Sequence, residues 1–286
     1  FLAVTLLLIV VIVAVSAFIL AQGPRESSVE VLAHNEDGTM LVNDFNDGQM
    51  TIPYYNISTN TTLPQDFHEE SNGTITYEGG ESLLGINVSS QSGAIDWAQV
   101  KENGVDFALI RVGYRGYKRG QLVLDENFQT NIAGATEAGI PVGVYFSSKA
   151  VTDAEADEEA AFVLEQIRGY NVDYPIAFFW EYDYGDNGSL DQASRTIQCN
   201  GEQITGFIDA FCQKVEDAGF EASYYASKSM AYETLDLSRL TQYDLWYAEY
   251  RAAPSFYYQF GMWQYTREGT VPGISQQVPI TLSFKD

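Results

Sequence analysis

The sequence predicts an α/β protein, an irregular TIM-like β/α barrel preceded by an N-terminal transmembrane helix and a polar stalk. Three observations support this fold class. An unbroken apolar run opens the chain, a polar segment without helical periodicity follows it, and from residue 84 onward apolar strands alternate with helical segments. We therefore assign residues 1–22 to a transmembrane anchor, residues 23–80 to an extracytoplasmic stalk and residues 81–286 to the barrel.

The anchor is predicted from residues 2–21, in which only Thr5 and Ser16 interrupt the apolar side chains. A helix rises about 1.5 Å per residue, so this run is long enough to cross a hydrocarbon layer of about 30 Å. A cleavable signal peptide is the alternative, but its apolar region is typically about 7 to 15 residues long. We expect a single-pass protein of the cell membrane.

The remainder of the chain is strongly acidic. The formal net charge is -24, and only Arg25 lies near the exit of the predicted anchor. Because cytoplasmic flanks of membrane helices are rich in Lys and Arg, we expect the C-terminal domain to be extracytoplasmic. The same charge argues against nucleic acid as a partner, and against electrostatic docking on anionic lipids or anionic wall polymers. A neutral glycan is compatible with it.

The predicted stalk is rich in Asn, Thr, Gly, Ser, Asp and Glu. It contains short extended pieces, such as residues 48–55 and 73–77, and no helical pattern. The alternative is a small β module that binds a partner, because residues 52–55 (IPYY) offer aromatic surface.

The barrel is predicted from seven strands that alternate with fewer helices, several of which end at a glycine. The strands are residues 84–88, 107–112, 141–146, 175–180, 222–225, 245–248 and 262–265. The helices are residues 96–103, 125–138, 153–168, 201–218 and 228–235. In β/α barrels the carboxyl ends of the strands form the site, so Asn87, Glu181 and Glu249 should converge there.

Six segments at these strand ends carry a family resemblance. They are residues 85–90 (GINVSS), 111–116 (RVGYRG), 139–145 (GIPVGVY), 178–181 (FFWE), 262–266 (MWQYT) and 271–274 (VPGI). In this order they resemble the glycoside hydrolase family 25 lysozymes, secreted muramidases that cut the glycan of peptidoglycan. The resemblance covers residues 84–284. It implies an irregular β/α barrel with an acidic groove, no metal or organic cofactor, and peptidoglycan or a related glycan as partner.

The sequence departs from the family at several acidic positions. Asn87 stands where the family usually has the aspartate of Gly-Ile-Asp, and Phe179 stands at the aspartate of Asp-x-Glu, two residues before Glu181. Pro279 replaces the acid of a Val-Asp-Leu segment near the C-terminus, and Gln91 replaces the histidine of Ser-Ser-His. Three of the four groove carboxylates are therefore absent.

Glycoside hydrolysis needs one acid to protonate the leaving oxygen and a second group that stabilises the cationic centre or delivers water. Glu181, at the end of an apolar strand, is the predicted catalytic acid. In the family, the carboxylate two residues earlier is thought to assist the acetamido group of the substrate, which Phe179 cannot do. Glu249 or Asp183 could replace it only at a carboxylate separation of about 5 Å or about 6.5 to 9.5 Å.

Substrate binding is predicted from aromatic and polar side chains near the strand ends. Flat rings with a polar tip bury the apolar face of a sugar while they bond its hydroxyl groups. The predicted substrate-binding residues are Asn87, Tyr114, Tyr145, Phe179, Asp183, Glu249 and Trp263.

Three functions are consistent with these residues. The leading hypothesis is a membrane-tethered, extracytoplasmic muramidase-like domain that recognises peptidoglycan strands with lost or severely reduced hydrolysis. The second is an active lysozyme that works through Glu181 with Glu249 or Asp183. The third is a structural or interaction protein of the cell envelope with a protein partner, in which the groove is closed by its own side chains.

Overall fold

The structure is a computed structural model that describes residues 27–284 of the chain. It contains fourteen strands and five α-helices within those residues. The strands are β1 (Val29–His34), β2 (Thr39–Asp44), β3 (Gly48–Pro53), β4 (Phe67–Glu69), β5 (Ile75–Tyr77), β6 (Leu83–Val88), β7 (Phe107–Arg115), β8 (Leu122–Leu124), β9 (Val142–Ser148), β10 (Ile176–Trp180), β11 (Ala222–Ser227), β12 (Asp244–Ala248), β13 (Met262–Gly269) and β14 (Val278–Ser283). The helices are α1 (Trp97–Glu102), α2 (Phe128–Glu137), α3 (Asp153–Gln166), α4 (Gly201–Asp217) and α5 (Lys228–Glu233).

Eight of these strands close into a barrel in the order β6, β7, β9, β10, β11, β12, β13 and β14. The pairs from β6 through β13 are parallel. The last strand, β14, runs antiparallel to both β13 and β6 and so closes the barrel. The short strand β8 forms a hairpin with the end of β7.

The prediction of an irregular TIM-like β/α barrel behind an N-terminal transmembrane helix is wrong. The barrel is a mixed one with few helices, because residues 270–277 between β13 and β14 are too few for a parallel crossover, which takes about a dozen residues or more. Within residues 27–284, no helix is both long and apolar enough to cross a membrane. Residues 1–22, on which the anchor was predicted, lie outside the described residues.

Side chains of the barrel strands alternate between the interior and the outer surface, as the pleat requires. On β10, Ala177 and Phe179 belong to the interior cluster, whereas Phe178 and Trp180 pack in the large core outside it. Glu181 is two residues beyond Phe179, so by the same alternation it lies on the interior side. The parallel strands end at one rim of the barrel, which we call the mouth, and Glu181 lies there.

The region between the predicted anchor and the barrel contains two small sheets. Strands β1, β2 and β3 form an antiparallel sheet, and β4 pairs with β5. Met40 and Val42 of the first sheet and Phe67 of the second are buried in the same core as the outer face of the barrel. The ring of Phe67 meets Trp263 edge to face, with centroids 5.2 Å apart. Strands β1 to β5 therefore pack on the barrel wall, inside the segment for which a stalk is predicted.

Four of the five described helices, all except α2, begin at a side chain that caps a free backbone N–H group. Thr152 accepts a hydrogen bond from the Glu155 backbone N–H at the start of α3, and Asn200 and Gln203 cap each other at the start of α4. Helix α3 carries Glu155 and Glu159 to the end of β7, where both face Arg115.

Candidate functional site

Glu181 lies partly buried at the mouth of the barrel. Its Oε1 is 3.3 Å from Nη2 of Arg267, which extends from the far part of β13. Burial raises the pKa of the Glu181 carboxyl above its ordinary value. The charges of Arg267 and Lys149 act in the opposite direction, and Asp183 adds to the rise. Because burial is the largest of these effects, Glu181 stays protonated to a higher pH than a solvated glutamate.

Arg267 is held over Glu181 by a tyrosine pair. Its Nε donates a hydrogen bond to the Tyr250 hydroxyl, and its guanidinium lies over the Tyr250 ring, 4.9 Å from the centroid. The Tyr250 hydroxyl also donates to Oε1 of Gln264 at 2.9 Å and lies 3.2 Å from the Tyr225 hydroxyl. The contacts that hold Arg267 beside Glu181 therefore come from β11, from the end of β12 and from β13.

Phe179 fills the barrel interior directly below Glu181. Its ring stacks on Tyr225 with centroids 4.1 Å apart and an interplanar angle of 25°. Tyr145 of β9 and Trp246 of β12 approach the same ring at 5.9 Å and 6.0 Å. Burial among these rings raises the pKa of Tyr145 to about 12. The position that holds an acid in the resembling enzymes is thus part of a packed aromatic cluster.

Asn87 lies on β6 and is buried at the barrel interior. Its Oδ1 accepts a hydrogen bond from the Thr281 hydroxyl of β14 at 3.1 Å. Ile86 pairs with Ile280 across these antiparallel strands, so the same register continued by one residue puts Pro279 beside Asn87. Two of the three positions at which the resemblance predicts an acid are therefore neighbours on the closing pair of strands, and neither Asn87 nor Pro279 carries a charge.

Asp183 lies just beyond Glu181 and is held by a cation. Its Oδ1 is 2.9 Å from Nζ of Lys149, and its Oδ2 accepts a hydrogen bond from the Ser194 hydroxyl at 2.6 Å. The same Lys149 ammonium donates to the backbone carbonyl of Glu181 at 2.5 Å. Lys149 thus ties the two acidic residues of this loop together, and Asp183 is the carboxylate that the structure brings next to Glu181.

Glu249 points away from the mouth. Trp246 and Ala248 of β12 face the interior, so alternation turns Glu249 to the outer side of the wall. Its carboxylate accepts hydrogen bonds from five donors: Asn46 Nδ2, Lys228 Nζ, Tyr247 Oη, Ser255 N and Ser255 Oγ. These contacts link the barrel to the loop between β2 and β3. A carboxylate so fully bonded joins two parts of the fold and is not available to a sugar.

Trp263 is also outside the mouth. It is fully buried on β13, and its Nε1 donates to the Glu249 carbonyl at 2.9 Å. Its ring packs beneath β4 and β5 through Phe67. The structure therefore assembles Asn87, Tyr145, Phe179, Glu181 and Asp183 around the mouth, whereas Glu249 and Trp263 lie together behind the wall.

Tyr114 marks the other side of the mouth, at the end of β7. It is 38% exposed, and the guanidinium of Arg111 lies 5.5 Å from its ring centroid. Arg111 pairs with the buried Asp125 at 2.8 Å, and Asp125 also accepts hydrogen bonds from the backbone and hydroxyl of Ser90. Asp125 is thereby an internal counter-ion that orients Arg111.

The sequence interpretation missed the residues that surround Glu181 from other strands. Arg267, Lys149 and Tyr225 make the contacts described above, but the site was predicted only from acidic positions and from the rings at the predicted strand ends, and none of these three was among them. For Lys149, the alternation of β9 could have indicated its position. Tyr145 faces the interior, and Ser147 and Lys149, which lies just past the strand, follow it at every second residue. Among residues 27–284, no group of three or more His, Cys, Asp and Glu side chains is placed to hold a metal ion.

Comparisons with known proteins place this site in a family. The model of glycosyl hydrolases family 25 matches residues 86–274. An autolytic lysozyme of Clostridium acetobutylicum is 27% identical over 194 residues, which make up 68% of this chain and 53% of that protein. The chain thus spans about half the length of this relative.

Solved structures agree on the fold. The modular autolysin LytC of Streptococcus pneumoniae, solved in complex with a synthetic peptidoglycan ligand, matches 89% of this chain and 58% of its own with a TM-score of 0.59 and 21% identity. A family 25 glycosyl hydrolase of Bacillus anthracis matches 71% of this chain and 89% of its own with a TM-score of 0.58 and 19% identity. The resemblance in the sequence is confirmed, and because the family model covers well over half of the chain, the protein belongs to glycosyl hydrolases family 25.

Proposed function

We propose that the domain binds the glycan strands of peptidoglycan at the mouth of the barrel and hydrolyses them very slowly or not at all. The observation that carries this proposal is the stacking of Phe179 on Tyr225 at 4.1 Å, in the position where a second carboxylate would act. Peptidoglycan is proposed as the ligand because the chain belongs to a family of lysozymes, one of whose structural relatives was solved with a peptidoglycan ligand.

The loss of rate follows from the charge at the mouth. The transition state of glycoside hydrolysis resembles an oxocarbenium ion and needs negative charge or a nucleophile beside the sugar ring. Phe179, Asn87 and Pro279 are neutral, and Arg267 adds a positive charge 3.3 Å from Glu181. Loss of one acid or base typically costs a factor of about 10² to 10⁴ in rate, so the loss of several leaves little turnover.

The test is muramidase activity and sedimentation of the full chain on purified peptidoglycan. Glu181→Gln and a double variant with Phe179→Asp and Asn87→Asp are measured beside it. We expect the unmodified chain to sediment with the polymer without releasing reducing ends, and the double variant to gain activity. Cleavage by the unmodified chain that disappears in Glu181→Gln would contradict the proposal. Absence of both cleavage and sedimentation would favour a structural or interaction protein at the envelope.

A second candidate function is hydrolysis through Glu181 and Asp183. The raised pKa of Glu181 suits a general acid. Asp183 is the neighbouring carboxylate, and its negative charge contributes to the rise of that pKa. Asp183 is, however, paired with Lys149 at 2.9 Å, which must be displaced before the carboxylate can approach a sugar. Activity that is lost equally in Glu181→Gln and Asp183→Asn, with binding retained, would establish this candidate.

We place this activity outside the cytoplasm as part of the same proposal, because peptidoglycan lies there. Proteolysis of intact cells that removes the barrel without lysis would support this location. Protection of the barrel until the membrane is broken would contradict it.

A further inference from the structure

A cavity adjoins the mouth of the barrel on the side of Tyr114. Its volume is about 700 Å³, within the range of about 300 to 1,000 Å³ that small-ligand sites occupy. Lys149 lines this cavity and also donates to the carbonyl of Glu181, so the cavity and the candidate acid share a wall. A sugar bound at Glu181 would therefore lie next to the cavity.

The charge of this cavity is opposite to that of the protein. Five cations line it and no Asp or Glu does: Arg111, Arg115, Lys118, Arg119 and Lys149. The whole chain has 15 Lys and Arg against 39 Asp and Glu, so a third of its cations converge on one small region. On so acidic a protein, such a cluster gives a local positive field only where its cations lack acidic partners.

Three of the five cations are already paired with acids of the protein. Arg115 is buried and bonds Glu159 at 2.6 Å and Glu158 at 2.7 Å. Arg111 and Lys149 each have one carboxylate partner, as described above, and remain partly exposed. Their charges are largely balanced, so they alone would not attract an anion.

Lys118 and Arg119 supply the unbalanced charge. Both are exposed, and neither forms an ion pair with any residue between 27 and 284. The ammonium of Lys118 lies over the Tyr117 ring, 5.0 Å from its centroid, and Asp191 is the acid whose charge reaches it. Tyr114 and Tyr117 are 38% and 40% exposed, so part of each ring is accessible to a sugar beside these cations.

The loop that carries the two cations is held in place before any ligand arrives. The backbone N–H of Gly116 donates to Gln121 at 2.9 Å, and the N–H of Gly120 donates to Gly116 at 2.8 Å. From below, Nη1 of Arg115 donates to the Gly120 carbonyl at 2.6 Å. A preorganised loop loses less entropy on binding, so its cations can contribute more to affinity.

We propose that this cavity is a subsite for an anionic group, a carboxylate or a phosphate, that a substituent of the glycan strand carries beside the sugar at the mouth. The inference rests on the proposed glycan binding and adds the class of strand that the site selects. Lys118 and Arg119 pair with the anion, Arg111 and Lys149 complete its surroundings, and Tyr114 and Tyr117 contact the sugar. Stem-peptide carboxylates and the phosphates of a wall polymer are the two sources of this chemistry.

The test compares sedimentation of the full chain, its Lys118→Gln/Arg119→Gln variant and a Lys101→Gln/Arg239→Gln control that removes two exposed cations elsewhere. The probes are polymer-free peptidoglycan with its stem peptides, polymer-free glycan stripped of peptides, and peptide-stripped glycan that retains its phosphate polymer. At about 50 mM salt we expect the Lys118→Gln/Arg119→Gln variant to bind at least about tenfold more weakly to an anionic probe, and the difference to shrink at high salt.

The three probes distinguish a carboxylate from a phosphate as the bound anion. They also separate the failure of the subsite proposal from the failure of the glycan-binding proposal. A loss confined to the stem-bearing probe identifies a carboxylate, and a loss confined to the polymer-bearing probe identifies a phosphate. Equal binding of the unmodified chain and the variant to every probe overturns the subsite and leaves the glycan-binding proposal intact. An equal loss in the control variant also overturns the subsite, because net charge alone would then explain it. No binding of the unmodified chain to any probe overturns both.

Discussion

Arg267 Nη2 lies 3.3 Å from Oε1 of Glu181, so the candidate acid of the mouth is paired with a cation. The pair is partly exposed and therefore contributes little to stability, but it affects the pKa of the carboxyl. Burial raises the pKa of Glu181, whereas Arg267 lowers it. Arg267 therefore restrains a rise that would otherwise favour the protonated acid.

The first prediction concerns this restraint. Arg267→Gln should raise the pKa of Glu181 further, because the charge that stabilises the carboxylate is removed while its burial remains. The pKa is measured by ¹³C NMR of labelled glutamate carboxyls, with the Glu181 signal assigned from its loss in Glu181→Gln. Arg251→Gln is the control, since Arg251 pairs with Asp47 on the outer side of the barrel. A Glu181 midpoint that stays constant or falls in Arg267→Gln would contradict the prediction.

The second prediction concerns the aromatic cluster below Glu181. Phe179→Ala should lower the free energy of unfolding by about 2 to 3 kcal/mol, because it leaves a cavity against Tyr225, Tyr145 and Trp246. Urea denaturation measures the change. Tyr184→Ala is the control, because Tyr184 is 64% exposed and its truncation should change stability by no more than about 0.5 kcal/mol. Equal stability of both variants would show that Phe179 does not support the barrel.

The sequence predicted the parallel part of the barrel well, since apolar runs such as residues 175–180 can be buried on both faces only as central strands. The sequence did not predict β14, the strand that closes the barrel. Residues 278–283 carry Pro279 and two hydroxyl side chains, a pattern that does not indicate a buried strand, yet β14 lies between β13 and β6. Its direction is dictated by a connection too short for a helix, and this antiparallel strand makes the barrel a mixed one.

The positions of several candidate site residues, though not their roles, follow from the same strand pattern. Glu181, Phe179, Tyr145 and Asp183 could be placed because strand ends meet at one rim. Glu249 also follows a strand, but its parity on β12 turns it outward, which requires the register of the neighbouring strands. One of its partners, Asn46, is 203 residues away in sequence, so no local pattern could have indicated the pair.

The third prediction concerns Glu249 as a link between the barrel and the β1–β3 sheet. Glu249→Ala should lower the free energy of unfolding by about 2 to 3 kcal/mol, because it leaves the buried Ser255 N–H and Tyr247 hydroxyl without their acceptor. Lys228 keeps Asp44 and Asp47 as partners. It should also make the loop between β2 and β3 more sensitive to protease. Glu268→Ala, an exposed acid on β13, is the control. Loss of glycan binding in Glu249→Ala without any loss of stability would instead assign Glu249 to the ligand site.

The fourth prediction is a pH dependence of stability that originates at Glu159. This carboxyl is fully buried 2.6 Å from Arg115. Burial raises its pKa to about 7 from an ordinary value of 4.5, and the neighbouring Glu155 opposes its ionisation, although Ser148 and Arg115 favour the charged form. The folded state therefore holds the proton more tightly than the unfolded state. Its contribution to stability is complete below about pH 4.5 and is lost as the pH rises through about 7.

The unfolding free energy of the unmodified chain should consequently fall by a term on the order of 3 kcal/mol between about pH 4.5 and about pH 8. Glu159→Gln should remove that term, because the amide imitates the protonated carboxyl and cannot ionise. Glu158→Gln removes an acid that also pairs with Arg115 but is 58% exposed, so it should keep the fall. Urea denaturation across this pH range measures all three chains. If Glu159→Gln follows the same pH profile as the unmodified chain, folding does not raise the pKa of Glu159, and the pairing with Arg115 offsets the cost of burial.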